Sequence, residues 1–206
     1  MDFAYNDEQK EIIKVVRDLV EKEIVPYASE MDETGKLHEG LLEKLAAQGL
    51  LGVAIPEEFG GAGLDAITIA AIYEELGKGC AGVATTVAAN ALASYPVIIA
   101  GNDDQKKRYF DIINEDNLAA FALTEPGTGS DAGSVSTRAM KTEDGKGYIL
   151  NGTKCFITNG ALAEVFVVFA NTRKSGGIRG LTAFIVRKGT PGFTVGKAEN
   201  KMGIRA

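Results

Sequence analysis

The spacing of apolar residues changes near residue 118, and that change limits what the chain can fold into. Upstream of it they recur at i, i+3, i+4 and i+7, which gathers side chains on one face of an α-helix. Ile12, Ile13, Val15, Val16, Leu19, Val20 and Ile24 form one stripe, with Asn6 or Asp7 placed to cap it and Pro26 near its end. Leu41, Leu42, Leu45 and Ala46 form a second, closed by Gly49. Asp65 opens a third with Ile67, Ile69, Ile72, Tyr73 and Leu76, and Asp103 or Asp104 begins another with Tyr109, Phe110, Ile112 and Ile113. Downstream come short runs: Leu118 to Leu123, Ser134 to Met140, Tyr148 to Leu150, Lys154 to Thr158, Val165 to Ala170, Leu181 to Val186 and Phe193 to Val195. Short apolar or alternating runs bounded by Gly, Asn and Asp indicate antiparallel strands. The pattern predicts an α+β chain, with an all-α unit over residues 1–117 and a small β unit over 118–206.

Between the two regimes, residues 80–93 are nearly all small, from Ala81 and Gly82 through Ala88, Ala89 and Ala91. Small side chains let helices approach closely, and the composition favours a tightly packed central helix.

Chemistry concentrates in Phe121-Ala-Leu-Thr-Glu-Pro-Gly-Thr-Gly-Ser-Asp-Ala-Gly133 and, further on, in Phe156-Ile157-Thr158-Asn159-Gly160. The first leaves a strand-like run and enters a turn built from Pro126, Gly127, Gly129 and Gly133. Glycine permits close approach of backbone to a ligand. Thr124, Thr128, Ser130 and Thr158 supply hydroxyls that donate and accept at a polar, planar ring. A glycine-rich surface turn would explain an isolated Gly-Thr-Gly-Ser, but the thirteen-residue string is far more specific than its glycines.

These two segments resemble the flavin-contacting segments of the acyl-CoA dehydrogenases. Ile55-Pro-Glu-Glu-Phe-Gly-Gly-Ala-Gly-Leu-Asp65, Asp104-Gln-Lys-Lys-Arg-Tyr109 and Lys201-Met-Gly-Ile-Arg205 resemble the same family, in the same order. The closest likeness is to its bacterial butyryl-CoA, or short-chain, branch. The resemblance implies an N-terminal helical domain, a small antiparallel β-barrel-like domain and a C-terminal helical domain that these 206 residues do not reach. It implies FAD as cofactor. Phe121, Ala122, Leu123 and Thr124 would face the flavin, Gly129 and Ser130 would form the turn beside it, and Phe156, Ile157 and Thr158 would flank it. Ser130 would also meet the substrate. Phe156 stands where many members carry Trp, and Thr128 replaces the more usual Ala or Ser.

The activity so implied is α,β-dehydrogenation of a short-chain acyl-CoA, butyryl-CoA to crotonyl-CoA or the reverse, with electrons passed to electron-transfer flavoprotein by a homotetramer. The family's catalytic base is a Glu of the C-terminal domain and has no counterpart here, so the 206 residues alone are expected to be inactive. Glu125 is better read as tying backbone amides of the loop. A flavin oxidase or monooxygenase of the same superfamily, or a non-catalytic binding module, are the competing readings.

Net charge is −6, from 22 Lys and Arg against 28 Asp and Glu. That argues against nucleic acid, whose phosphates want a basic surface. Lys141, Lys146, Lys154, Arg173, Lys174 and Arg179 are candidate local cations for CoA. Cys80 and Cys155 are far apart in no paired pattern and read as buried free thiols. The single histidine, His38, lies in a polar patch and reads as surface, and no metal site is expected. The acidic N-terminus lacks a basic-then-apolar signal, and no apolar run is seen to approach the roughly 18 residues of a membrane span. A cytoplasmic protein is expected.

Overall fold

The computed structural model describes residues 4–173 and 177–206. Helix α1 (Asp7–Leu19) opens on Asn6, whose side chain accepts from the Gln9 amide at 2.8 Å while the Gln9 side chain accepts from the Asn6 amide at 3.1 Å. This reciprocal cap satisfies two donors that a helix start leaves orphaned. Ile13 and Val16 turn inward, and the chain continues through a wider π turn at Val20–Ile24 before Pro26 stops it. Helix α2 (Ala28–Thr34) has no counterpart in the apolar pattern, since Met31 is its only fully buried residue. Helix α3 (Leu41–Ala47) follows, with Gly49 at φ 70° just beyond it. Asp65 caps α4 (Ala66–Gly79) by accepting from the Ile67 and Thr68 amides. Helix α5 (Ala81–Ala100) comes next, and α6 (Asp103–Ile113) begins at Asp103 as expected, with Asn102 as its cap.

Helix α5 corrects one expectation from sequence. Its 20 residues carry no charge, and over an 18-residue window the mean hydropathy is 1.5, so by length and composition it could cross a membrane. Half of that window is buried inside the protein, between α4 and the sheet, so it serves as the central helix that the small residues imply.

The β unit is a five-stranded sheet: β1 (Ala119–Ala122), β2 (Arg138–Lys141), β3 (Tyr148–Asn151), β4 (Val165–Asn171) and β5 (Leu181–Arg187). The expectation of antiparallel pairing holds for β2–β3 and β4–β5 only. Strand β4 runs parallel to β1, with Ala119 beside Val165, and meets β2 in parallel at Arg138 and Asn171. The sheet is therefore mixed, because β1 and β2 line up end to end along one edge of β4 while β5 takes the other. Two further expectations fail: Lys154–Thr158 and Phe193–Val195 form no strand.

Strand β4 explains why an uninterrupted apolar run was visible there. Phe166 and Val168 join Leu118, Ala120 and Ala122 in one core with Val83 and Val87 of α5. Val165 and Val167 join Ala119 in a second core with Val97, Tyr109 and Phe110. A strand buried on both faces is apolar at every position rather than at alternate ones. Each buried valine, leucine or phenylalanine among them contributes about 1.5–3 kcal/mol relative to exposure. The helical and β units thus share their cores, with α5, β1 and β4 each contributing to both.

Candidate functional site

The site is built where β1 ends. Beyond Ala122 the chain folds into a tight turn in which Glu125 and Thr128 exchange backbone hydrogen bonds of 2.9 and 3.0 Å. The Glu125 side chain is buried and accepts from the amides of Ser136 (2.7 Å) and Thr137 (2.9 Å), from the hydroxyls of both, and from the Lys154 ammonium (2.8 Å). Burial pushes this carboxyl up, but the Lys154 ammonium and the Ser136 and Thr137 donors outweigh burial and hold it well below the usual carboxylate range. Glu125 is consequently an acceptor fixed in place, as the sequence suggested, and not a base.

The second segment docks onto the first. Lys154 also donates to the Leu123 carbonyl at 2.9 Å, and the Cys155 amide donates to the Thr124 carbonyl at 3.0 Å. The Lys154 side chain is 11% exposed, and burial lowers its pKa against the opposing pull of Glu125. Gly152 is required here because a Cβ would lie 2.3 Å from the Thr137 hydroxyl oxygen. Past Cys155 the backbone turns left-handed at Phe156 (φ 56°) and again at Asn159 (φ 63°), which is why the segment cannot continue as a strand. For a bulky residue such as Phe this conformation costs about 1–2 kcal/mol. Phe156 is left 74% exposed.

Asn159 anchors the far end. Its amide nitrogen donates to the Thr86 carbonyl of α5 (3.0 Å) and the Ala119 carbonyl of β1 (3.1 Å). Asn90 of α5 accepts from the Ala119 amide and donates to the Leu51 carbonyl at 2.9 Å. Both ends of one β1 residue are therefore pinned to the central helix by buried asparagines. Asn90 was missed at the level of sequence, where its signal was an asparagine inside an otherwise apolar, small-residue stretch; Asn159 stood in the Phe156–Gly160 segment, but its anchoring role was not legible. Ser136 and Thr137, the donors to Glu125, were missed likewise and carry no distinctive pattern.

Of the residues singled out from sequence, Ala122 is buried, while Phe121, Leu123, Thr124 and Ile157 are half-buried. Gly129, Ser130, Phe156 and Thr158 are exposed. Phe121 packs its ring 5.0 Å from Phe169. The structure joins Leu123 and Thr124 to Lys154 and Cys155 directly; Gly129 and Ser130 lie past the Glu125–Thr128 turn and bond to neither. Among the candidate cations, Lys154 is turned inward, Lys174 lies outside the described residues, and Lys141, Lys146, Arg173 and Arg179 are exposed. His38 is not a plain surface residue: its ring stacks on Tyr27 at 3.5 Å, with Nδ1 3.7 Å from Glu30. The two cysteines are free but half-buried rather than buried.

An exposed aromatic face, hydroxyls at Thr124, Ser130 and Thr158, and open backbone at Gly127 and Gly129, where a Cβ would meet nothing within 4 Å, suit a planar ring with a polar edge. The two segments meet through Lys154 and Cys155 at the seam of a helical and a β unit. The chain belongs to the acyl-CoA dehydrogenase family: residues 6–114 match its N-terminal domain and residues 120–206 its middle domain. An acyl-CoA dehydrogenase of Bacillus subtilis is 43% identical over 96% of this chain and 52% of its own length. The solved butyryl-CoA dehydrogenase of Megasphaera elsdenii superposes with a TM-score of 0.91 at 42% identity, over all of this chain and 55% of its own. An acyl-CoA dehydrogenase of Bacillus anthracis solved with FAD gives 0.86 at 38% identity, over 98% of this chain and 34% of its own. The chain spans about half the length of the curated relatives it matches.

Proposed function

We propose that these residues form the FAD-binding part of a short-chain acyl-CoA dehydrogenase. The observation that supports the reading is the docking of Lys154 and Cys155 onto the Leu123 and Thr124 carbonyls, which joins the two segments that resemble the family's flavin-contacting ones. When bound, FAD would supply the acceptor for the hydride leaving Cβ of the acyl chain. Leu123 and Thr124 would meet the polar edge of the ring, Phe156 and Phe121 its apolar flank, and Thr158 would donate where negative charge accumulates on reduction. Gly129 and Ser130 shape the turn, with Ser130 reaching the substrate. The α-proton goes to a carboxylate outside these 206 residues, since Glu125 is fully committed. The half-exposed face of α5, with Ala84, Ala88, Leu92 and Tyr95, lines the acyl chain.

Butyryl-CoA is the favoured substrate, converted to crotonyl-CoA or formed from it. A dicarboxylic acyl group would need a free cation at its far end. Lys78 is the one cation between Glu74 and Gln105, and it is held by Glu74 (3.2 Å) and Glu75 (2.7 Å). By the family resemblance the whole protein is a cytoplasmic homotetramer that passes electrons to electron-transfer flavoprotein. The full-length protein should purify with FAD and lose its flavin colour when butyryl-CoA is added without oxygen. A flavin spectrum that butyryl-CoA leaves unchanged would overturn the substrate assignment, and a colourless protein the cofactor assignment.

A further inference from the structure

Lys154 is unusual among the cations of this chain. Its ammonium is almost enclosed and makes two bonds, to the Leu123 carbonyl (2.9 Å) and to Glu125 (2.8 Å). Glu125 is in turn clamped by the amides and hydroxyls of Ser136 and Thr137. The ammonium thus rests on an anchor that cannot swing. A lysine placed for solubility or for a CoA phosphate would point to solvent.

Its grip on Leu123 has a directional consequence. A trans peptide is planar, so its carbonyl and the following N–H point to opposite sides. The chain contains no cis peptide among its described residues. Drawing the Leu123 carbonyl toward Lys154 therefore turns the Thr124 N–H away from it. The Cys155 amide, one residue from Lys154, fixes the Thr124 carbonyl in the same way. Two consecutive peptide planes are thus fixed by neighbouring residues of the second segment, and the Thr124 N–H points away from the Lys154 ammonium.

We propose that Lys154 is a positioning residue for the cofactor: it fixes the Leu123–Thr124 peptide so that the Thr124 N–H is presented to the polar edge of the flavin. The proposal rests on the flavin reading above. Without the ammonium, the Leu123 carbonyl has no partner and the peptide is free to rotate, which weakens cofactor binding and changes the environment of the ring.

The test uses the full-length protein with Lys154→Met and Lys154→Arg. FAD dissociation is measured by flavin fluorescence, the bound flavin by its visible absorption and circular dichroism, and folding by far-ultraviolet circular dichroism and thermal melting. Lys154→Met is expected to weaken FAD by about tenfold or more and to alter the visible spectrum of the flavin that remains bound. Lys154→Arg, which keeps a donor and the charge, should restore the spectrum in part. Should Lys154→Met not fold, the comparison passes to Lys154→Arg alone, whose longer fork must shift the spectrum. Flavin affinity and spectrum equal to the wild type in a folded variant would overturn the proposal, even if the melting temperature fell. A wild-type protein that binds no FAD would instead overturn the flavin reading itself.

Discussion

The Lys154 ammonium lies 2.8 Å from Oε1 of Glu125, and both side chains are all but closed off from water. Breaking a buried pair by removing one partner strands the other charge. Glu125→Ala should therefore cost about 3–5 kcal/mol in chemical denaturation. Glu125→Gln, which keeps an acceptor for Ser136 and Thr137, should cost less. Equal costs for the two would mean that the charge is immaterial.

Asn159 combines a left-handed backbone with two hydrogen bonds, and two substitutions separate these contributions. Asn159→Gly loses the bonds to Thr86 and Ala119 but keeps the conformation, at a cost of about 1–3 kcal/mol. Asn159→Ala loses the same bonds and leaves in the left-handed region a residue that tolerates it less well than asparagine or glycine, so it should cost about 1 kcal/mol more than the glycine variant. A smaller loss for alanine than for glycine in urea unfolding would contradict the assigned geometry.

Phe156 is strained and exposed, so it does little for the fold. Replacing it by glycine relieves about 1–2 kcal/mol of strain while adding about 0.5–1 kcal/mol of unfolded-chain entropy. The net change in stability should lie between nothing and a gain of about 1.5 kcal/mol. FAD affinity of the full-length protein should nevertheless drop, because the aromatic flank is gone. A large destabilisation with unchanged FAD affinity would assign Phe156 to packing instead.

Glu75 on α4 ties α1 to α4. It accepts both nitrogens of the Arg17 fork, at 3.1 and 2.9 Å, and Lys78 at 2.7 Å. The Arg17 bonds, aided by Lys78 and opposed by burial, lower its pKa from 4.5 to about 2. A carboxyl depressed on folding stabilises the protein above its unfolded pKa, and that contribution is lost as pH falls through the folded value. The stability gap between wild type and Glu75→Gln should be constant above the 4.5 reference value and shrink toward zero as pH approaches about 2. A gap that does not depend on pH would refute the assignment.

Helix positions were legible where one face alone is buried. Asn6 and Asp65 cap as their residue types imply, and the stripe through Ile13, Val16, Val20 and Ile24 faces inward. Helix α2 was not legible, because its one buried residue, Met31, leaves no period to detect. The length of α5 was overlooked because alanine, threonine and glycine dilute its hydrophobicity. Lys154–Thr158 looked like a strand because propensity sees side chains but not the left-handed turn at Phe156.

What the sequence determined by itself was the order of helical and β units and the two segments whose likeness points to the acyl-CoA dehydrogenase family, since both are written in local spacing and composition. Tertiary structure alone decided that β1 and β4 run parallel, that Asn90 and Asn159 clasp Ala119, and that Lys154 turns inward to hold Leu123 and Glu125. Each joins residues distant along the chain, and a buried charge or amide settles where its partners are. No window of neighbouring residues contains those partners.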